Sequence, residues 1–539
     1  MSKIFEQLLE KRHLDKDFLY PKYENSENPF SLVDMDKAIN RIQKALDNHE
    51  KILIYGDYDV DGVTASTLME ETLKLTGIKP DDISIMLPDR FADGYGMSPK
   101  LIENAKKQGV KLVITVDCGS SNHNIITELN TLGIDTIVTD HHETPSTMPE
   151  AIAILNPKRK DKPTENLQNL AGVGVAFKLA QALVGQGLIK SGQEKWLLDL
   201  VLIGTICDNM LLTGENRILG YYGMKVLAKT RRPGLLELME KAGVKKLNSE
   251  SIGFQIGPRL NAAGRLKTAD LSLNLLRSTS QAEAALLSEK LEILNKKRKN
   301  EQISATREII KRGVNSNPVI IETGQFHEGI LGIVAGRLVE EYHKPAFVLT
   351  EVENGILKGS GRSFGDFNLA EALNFTQETI IGGGGHAGAA GVRLEQKNLY
   401  QFREQINAYY RNLKLPDQTK YLTKPADLEL IDFSGLNLDL LEELKLLEPF
   451  GAGNEEPIFC LKNVEIANLT RMGTERNHLR IDLRDKNGKY FKLVSFYAPE
   501  NWLNLDPDYD HIEPLIKLSE NDFNGTKSLE ARIIDINMI

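Results

Sequence analysis

The sequence is poor in the features that mark secreted, membrane-spanning or fibrous proteins. Its 539 residues hold only three cysteines, Cys118, Cys207 and Cys460, widely separated and without metal-ligand spacing. Neither a disulfide framework nor a zinc knuckle is indicated, and a reducing cytoplasm is the expected location. No run approaches the ~18–20 uncharged apolar residues of a membrane span. The opening MSKIFEQLLEKRHLDK mixes acids and bases in an amphipathic pattern and lacks the unbroken apolar stretch of a signal peptide. Low-complexity tracts and internal repeats are absent. A basic excess is absent too: 66 Lys and Arg stand against 75 Asp and Glu, a net charge of −9. That argues against a generic nucleic-acid coat, but not against an enzyme whose basic groups line one groove.

What is present is a long α/β chain, larger than a single core, since such cores rarely exceed about 250–300 residues. Apolar runs at 52–55, 83–87, 112–116 and 136–139 alternate with helical spacings near 63–75, 99–108 and 123–132. The runs are too continuous for a half-exposed sheet and predict a parallel one. Residues 197–206 predict a buried helix. Residues 281–312, without Gly or Pro, predict one charged spacer helix of ~45 Å at ~1.5 Å per residue. A second α/β unit starts near Pro318 and ends in IGGGGHAGAAGV, and strand-like runs after about Lys420 predict a small β-barrel. The expected organisation is residues 1–225, a parallel-sheet catalytic domain; 226–312, a helical connection; 313–415, the second α/β domain; and 416–539, the barrel.

In parallel α/β sheets the ligand site lies beyond the carboxyl ends of the strands. The acidic residues fall there: Asp57, Asp59 and Asp61 in YGDYDVDG, Asp117 in VITVDCGS, and Asp140-His141-His142 in IVTDHHE. A lone DxD is as often a solvated turn, and a lone His pair is usually a surface feature. Three such groups in register at strand ends are a different matter. Clustered carboxylates repel in a low-dielectric crevice unless a hard cation neutralises them; carboxylate with imidazole suits Mn²⁺, and carboxylate with water suits Mg²⁺.

DYDVDG, VDCG and TDHH resemble successive motifs of the DHH phosphoesterase superfamily, with Asp208 in LIGTICDNM as the fourth. IGGGGHAGAAG is similar to the glycine-rich signature of its DHHA1 accessory domain. IGPRLNAAGR, LNKKR, HEGILGIVAGRL, GSGRS and LEPFGAGNEEPIF are similar to segments of the RecJ family of single-strand-specific 5′→3′ exonucleases, over nearly the whole chain and in order. The resemblance implies an OB-fold for the barrel. It implies metal and catalytic roles for Asp57, Asp59, Asp117, His141, His142 and Asp208. Asp140 is implied as a ligand or as the group that orients one, while Asp61 could instead hold the turn or cap a helix. Two divalent cations, Mn²⁺ preferred or Mg²⁺, are implied. Tyr55 stands where many members carry a histidine, which implies that one ion is held differently or more weakly.

The resemblance further implies that basic and hydroxyl groups from both α/β units hold a 5′-phosphate. Arg90, Arg259, Arg265, Arg298, Ser360 and Arg362 fit this role, and Gly384, Gly385 and His386 of the glycine run could cradle a phosphate or nucleotide; the run could equally be a tight strand-to-helix turn. In the barrel, Phe459, Phe491, Phe496 and Tyr497 with Arg471, Arg476, Arg480 and Lys492 could stack bases and track a backbone, about half of the aromatics being core. Single-stranded DNA is the implied substrate; single-strand-binding protein and a RecQ-type helicase are implied partners, and a monomer is expected. Two alternatives stand: a phosphodiesterase for short oligonucleotides or cyclic dinucleotides, and an inactive replication scaffold.

Overall fold

The computed structural model describes residues 1–94, 96–314, 316–422, 425–507, 511–523 and 525–539. The first unit is built on five parallel strands, β1 (Ile52–Tyr55), β2 (Ile83–Met86), β3 (Leu112–Val116), β4 (Asp135–Thr139) and β5 (Ala153–Leu155), ordered β2-β1-β3-β4-β5. β1, β3 and β5 are buried along their whole length, as strands covered by helices on both faces must be. Alternation divides the faces. Ile52 and Ile54 enter the core shared with helices Val60–Leu75, Gly172–Gly185 and Leu198–Cys207, whereas Leu53 and Tyr55 face the opposite layer. The fifth strand is not among the four runs read from the sequence; at three residues it is too short to carry a period.

The predicted spacer is a helix from Gln281 to Arg312. Its N-terminal half, through Ala284, Leu287, Leu291 and Leu294, is buried in the first core; Ala305 and Ile309 belong to the core of the second unit. It therefore fastens one unit to the other. That second unit is a mixed sheet of β6 (Ile320–Thr323), β7 (Ala346–Glu353), β8 (Ile356–Arg362), β9 (Gly382–Gly385) and β10 (Ala389–Glu395), ordered β6-β7-β8-β10-β9, with helix Leu331–Tyr342 packed on one face.

The C-terminal part is a seven-stranded sheet of β11 (Leu428–Leu430), β12 (Phe459–Leu461), β13 (Glu465–Met472), β14 (His478–Arg484), β15 (Tyr490–Ser495), β16 (Ile512–Phe523) and β17 (Thr526–Met538). Its core also holds Phe5, Leu8 and Leu19 from the N-terminus, and Arg12 clasps Asp427 at 2.6 and 2.8 Å. This corrects the placing of residues 1–225 in one unit. The amphipathic first helix, Lys3–Lys11, has its apolar face on the barrel, a choice of partner that periodicity alone does not encode. No helix among the described residues is long and apolar enough to cross a membrane.

Candidate active site

Four chain segments meet beyond the carboxyl ends of β1, β3 and β4. Asp57 and Asp59 follow β1; Asp59 is also the N-cap of helix Val60–Leu75, its carboxylate accepting from Gly62 N at 3.0 Å. Asp117 follows β3 with φ +61°, a left-handed conformation uncommon outside glycine and found where function demands it. Gly172 begins the helix lying against it, where a Cβ would come within 2.5 Å of the Asp117 side chain. Asp208 is the C-cap of helix Leu198–Cys207. Ligand atoms of Asp57, Asp59 and Asp117 lie within 4.8 Å of one another, as do those of Asp61, His141 and Asp208, and those of Asp117, His141 and His142.

The electrostatics call for cations. Burial, then the Asp59 charge, pushes Asp57 up to about 8; burial, then Asp61 and Asp59, does the same to Asp208. Asp117 is raised well above the ordinary carboxylate range by burial and four surrounding aspartates. Asp57 Oδ1 is buried and accepts no hydrogen bond, an orphaned acceptor of the kind a metal satisfies. Burial, then the His142 charge, pushes His141 down to about 3. It is therefore a neutral imidazole at neutral pH, the form that coordinates a metal, with Nε2 3.1 Å from Asp117 and 3.6 Å from Asp208.

Asp140 is not among the ligand groups. Its carboxylate accepts from Ser120 N at 3.0 Å, His141 N at 2.8 Å, and His142 N and Nδ1 at 3.1 and 2.8 Å. Of the two roles left open for it, ligand or orienting group, these bonds fit the second. Burial opposes both charges of this pair, yet their mutual attraction holds Asp140 well below the carboxylate range and pushes His142 up to about 9. Asp61 spends both oxygens on Gly172 N and Val173 N, 2.6 and 2.9 Å away, and so anchors the N-terminus of the helix beside Asp117. Tyr55 is turned to the far face of the sheet, where its hydroxyl donates to Gly96 O and accepts from Ser98 N, at 3.0 and 3.2 Å. It takes no part in the cluster.

A second cluster is cationic. Burial, then Arg90, Arg298 and Arg362, pushes Arg265 down to about 9, and burial followed by Arg90 lowers Arg362. Among the described residues none of Arg90, Arg265, Arg298 and Arg362 pairs with a carboxylate. Like charges gathered so require an anion, and the guanidinium fork suits phosphate. Arg362 reaches back to Ser360 Oγ at 3.2 Å, and Arg298 is held by Asn295 at 2.9 Å. Arg259 departs from expectation, being consumed by Glu292 at 2.6 Å and Gln255 O at 2.8 Å. Gly384, Gly385 and His386 also depart from it. They lie in an exposed edge hairpin, Gly384 opposite Gly391 and His386 N bonded to Ala389 O, not in a cradle or a strand-to-helix turn. Gly391 is in turn opposite Ser360, so the hairpin flanks the cationic cluster two strands away.

Two residues escaped the sequence reading. The Tyr58 ring lies under Arg90 at 5.0 Å, and Asn156 Nδ2 bonds Ser120 Oγ and His142 O at 2.9 and 3.0 Å. A polar residue ending a fifth apolar run was the available signal for Asn156.

A parallel-sheet domain carrying an aspartate and histidine metal cluster, joined to a second domain that adds arginines for phosphate, defines a metal-dependent phosphoesterase. Residues 51–205 match the DHH family, N-terminal domain, residues 316–412 the DHHA1 domain, and residues 427–535 the RecJ OB domain. The single-stranded-DNA-specific exonucleases RecJ of Bacillus subtilis and Haemophilus influenzae are 34% and 33% identical to this chain, over 96% and 94% of it and 65% and 91% of their own lengths. The crystal structure of RecJ in complex with Mn²⁺ from Thermus thermophilus superposes with a TM-score of 0.84 at 29% identity, covering 100% of this chain and 76% of that one; its Mg²⁺ complex gives 0.79 at 27%, covering 99% and 74%. The chain belongs to the RecJ family. Its donor set fits the same two cations.

Proposed function

We propose that the protein is a single-stranded-DNA-specific 5′→3′ exonuclease that releases 5′-mononucleotides by metal-dependent phosphodiester hydrolysis. One observation carries this reading: the acidic cluster, which needs cations, adjoins an arginine cluster, which needs an anion, and Tyr58 lies between them. Asp57 and Asp59 flank Tyr58 in sequence while its ring supports Arg90. A strand whose 5′-phosphate rests on Arg90, Arg265, Ser360 and Arg362 would set its first phosphodiester against the aspartates.

Asp57, Asp59, Asp117, His141 and Asp208 would hold two divalent ions, Asp117 belonging to two ligand groups. Such ions, when bound, neutralise the phosphate and acidify a water. His142, fixed through Nδ1 by Asp140, would present its charged Nε2–H to a phosphate oxygen, a donor whose orientation is set before the charge develops. Single strands are supported by a cavity of ≈ 950 Å³ between Cys207, Asn209 and Met210 beside the cluster and Lys517 and Arg532 of the barrel, lined also by Phe254, 78% exposed. A role in DNA repair and recombination, as a cytoplasmic monomer working with single-strand-binding protein and a RecQ-type helicase, belongs to the same reading.

The test is incubation of purified protein with end-labelled single-stranded DNA under Mn²⁺, Mg²⁺ or EDTA, beside Asp59→Ala and His141→Ala. Metal-dependent mononucleotide release from the 5′ end, lost in both variants and on blunt duplex, is expected. Binding without cleavage under either metal would overturn it.

A further inference from the structure

An aromatic contact joins the loop that carries Arg90 to the second α/β unit. Phe91, half-buried, meets His327 edge-on, with ring centroids 5.4 Å apart and planes at 84°. Both partners are held in place. The Asp89 carboxylate accepts from Phe91 N at 2.8 Å and Ala92 N at 3.1 Å, and Asp93 returns a bond to Asp89 N at 2.9 Å while pairing with Lys100, so the loop carrying Phe91 is closed on itself. His327 Nδ1 accepts from Gly329 N at 3.1 Å. Gly329 in turn presses on the Arg265 backbone, where a Cβ would lie 1.8 Å from the carbonyl oxygen, and Gly264 presses likewise on Tyr58, at 2.5 Å.

Followed from one neighbour to the next, Tyr58, Arg90, Phe91, His327, Gly329 and Arg265-Gly264 form a closed circuit drawn from separate stretches of chain. The metal cluster joins it at Tyr58, between Asp57 and Asp59. Within that circuit Phe91–His327 lies opposite Tyr58 and joins a residue of the first α/β unit to one of the second. It adds aromatic bulk beside Arg90 and the Arg265 backbone.

Resting on the reading above, we propose that the Phe91–His327 contact is a stop that closes the pocket behind the terminal phosphate and confines cleavage to a free 5′ end. Phe91 and His327 are thus specificity-determining residues, not catalytic ones. Substrates with chain or bulk beyond the 5′-phosphate are refused because the stop occupies their path, not because they lack a binding group.

The full-length protein, Phe91→Ala, His327→Ala and Phe91→Trp are compared in Mn²⁺ on three substrates: linear single-stranded DNA with a 5′-phosphate, the same strand bearing a 5′-biotin linker, and covalently closed circular single-stranded DNA. The wild type should digest the first and refuse the others. Phe91→Ala should keep the first activity within about threefold while gaining tenfold or more on the blocked and circular strands, and His327→Ala should show the same gain relative to its own activity on the first. Phe91→Trp, which retains the bulk, should refuse them as the wild type does. Alanine variants that digest the phosphorylated strand normally and still refuse the other two would overturn the stop. A wild type that cuts circles freely, or cuts nothing, would instead overturn the exonuclease reading on which it rests.

Discussion

Asp140 holds His142 by Oδ1–Nδ1 at 2.8 Å while tying down the backbone of both histidines, the geometry of a group that orients the triplet. Asp140→Asn preserves the acceptor oxygen and removes the charge that keeps His142 protonated. Turnover on single-stranded DNA should fall by about 10–100-fold, with Mn²⁺ affinity by titration calorimetry changed only a few-fold. Loss of metal binding in step with activity would make Asp140 a ligand after all.

The pH dependence of the metal-free protein has a definite sign. Asp57 and Asp208 stand at about 8 against an ordinary 3.8, so between those values the folded chain binds protons that the unfolded chain has released. Their contribution is fully present below about pH 4 and is lost as pH rises through 8. In EDTA the apparent Tm should therefore fall between pH 5.5 and 8.5. Asp208→Asn should flatten the slope, and Mn²⁺ should reverse it, with proton release on binding at pH 7. A Tm that rises over this range in EDTA would contradict the cluster's electrostatics.

What could be read in the sequence was what local pattern controls. The helix Gln281–Arg312 contains no Gly or Pro and has the predicted bounds, and the motif aspartates announce themselves because they end apolar strands. What was hidden depends on partners far along the chain. Arg259 looks like a phosphate ligand until Glu292 is folded onto it at 2.6 Å. Phe459 and Phe491 enter the core from β12 and β15, whereas Phe496 and Tyr497, in the turn just past the end of β15, are exposed, a division that depends on where the strand ends. Tyr55 holds a position where many members of the superfamily carry a histidine, but strand alternation sends it to the other side of the sheet.

Arg217 welds the barrel to the catalytic domain. It donates to Leu446 O, Leu447 O and Glu448 O at 2.7–2.9 Å and to Phe18 O at 3.0 Å, while Leu212 N, four residues after Asp208, bonds Ala452 O at 2.8 Å. Arg217→Lys keeps a charge but cannot span these carbonyls, and leaving them unpaired should cost about 2–4 kcal/mol. Limited proteolysis should then cut between the units, and degradation should become distributive on long strands with short ones cleaved near the wild-type rate. Equal losses on long and short strands would show that Arg217 supports the metal site itself.

The barrel's exposed aromatics separate binding from stability. Phe496 and Tyr497 are 62% and 77% exposed, and both rings meet His478 edge-on, with centroids 5.4 and 4.8 Å away. Of the four basic residues expected beside them, three are engaged, Arg480 with Asp482, Lys492 with Glu530 and Arg471 with Leu503 O, and among the described residues only Arg476 has no carboxylate or carbonyl partner of this kind. Affinity there should accordingly come from stacking more than from charge. Tyr497→Ala and Phe496→Ala should each weaken binding of a long single strand by about 1–3 kcal/mol, with little change in Tm and a shallow salt dependence of the loss. Phe491→Ala, which empties a core position, should destabilise the barrel by about 3–5 kcal/mol. Fluorescence anisotropy at two salt concentrations with parallel thermal unfolding distinguishes the cases: normal binding by Tyr497→Ala and Phe496→Ala would mean that the strand follows another face of the barrel.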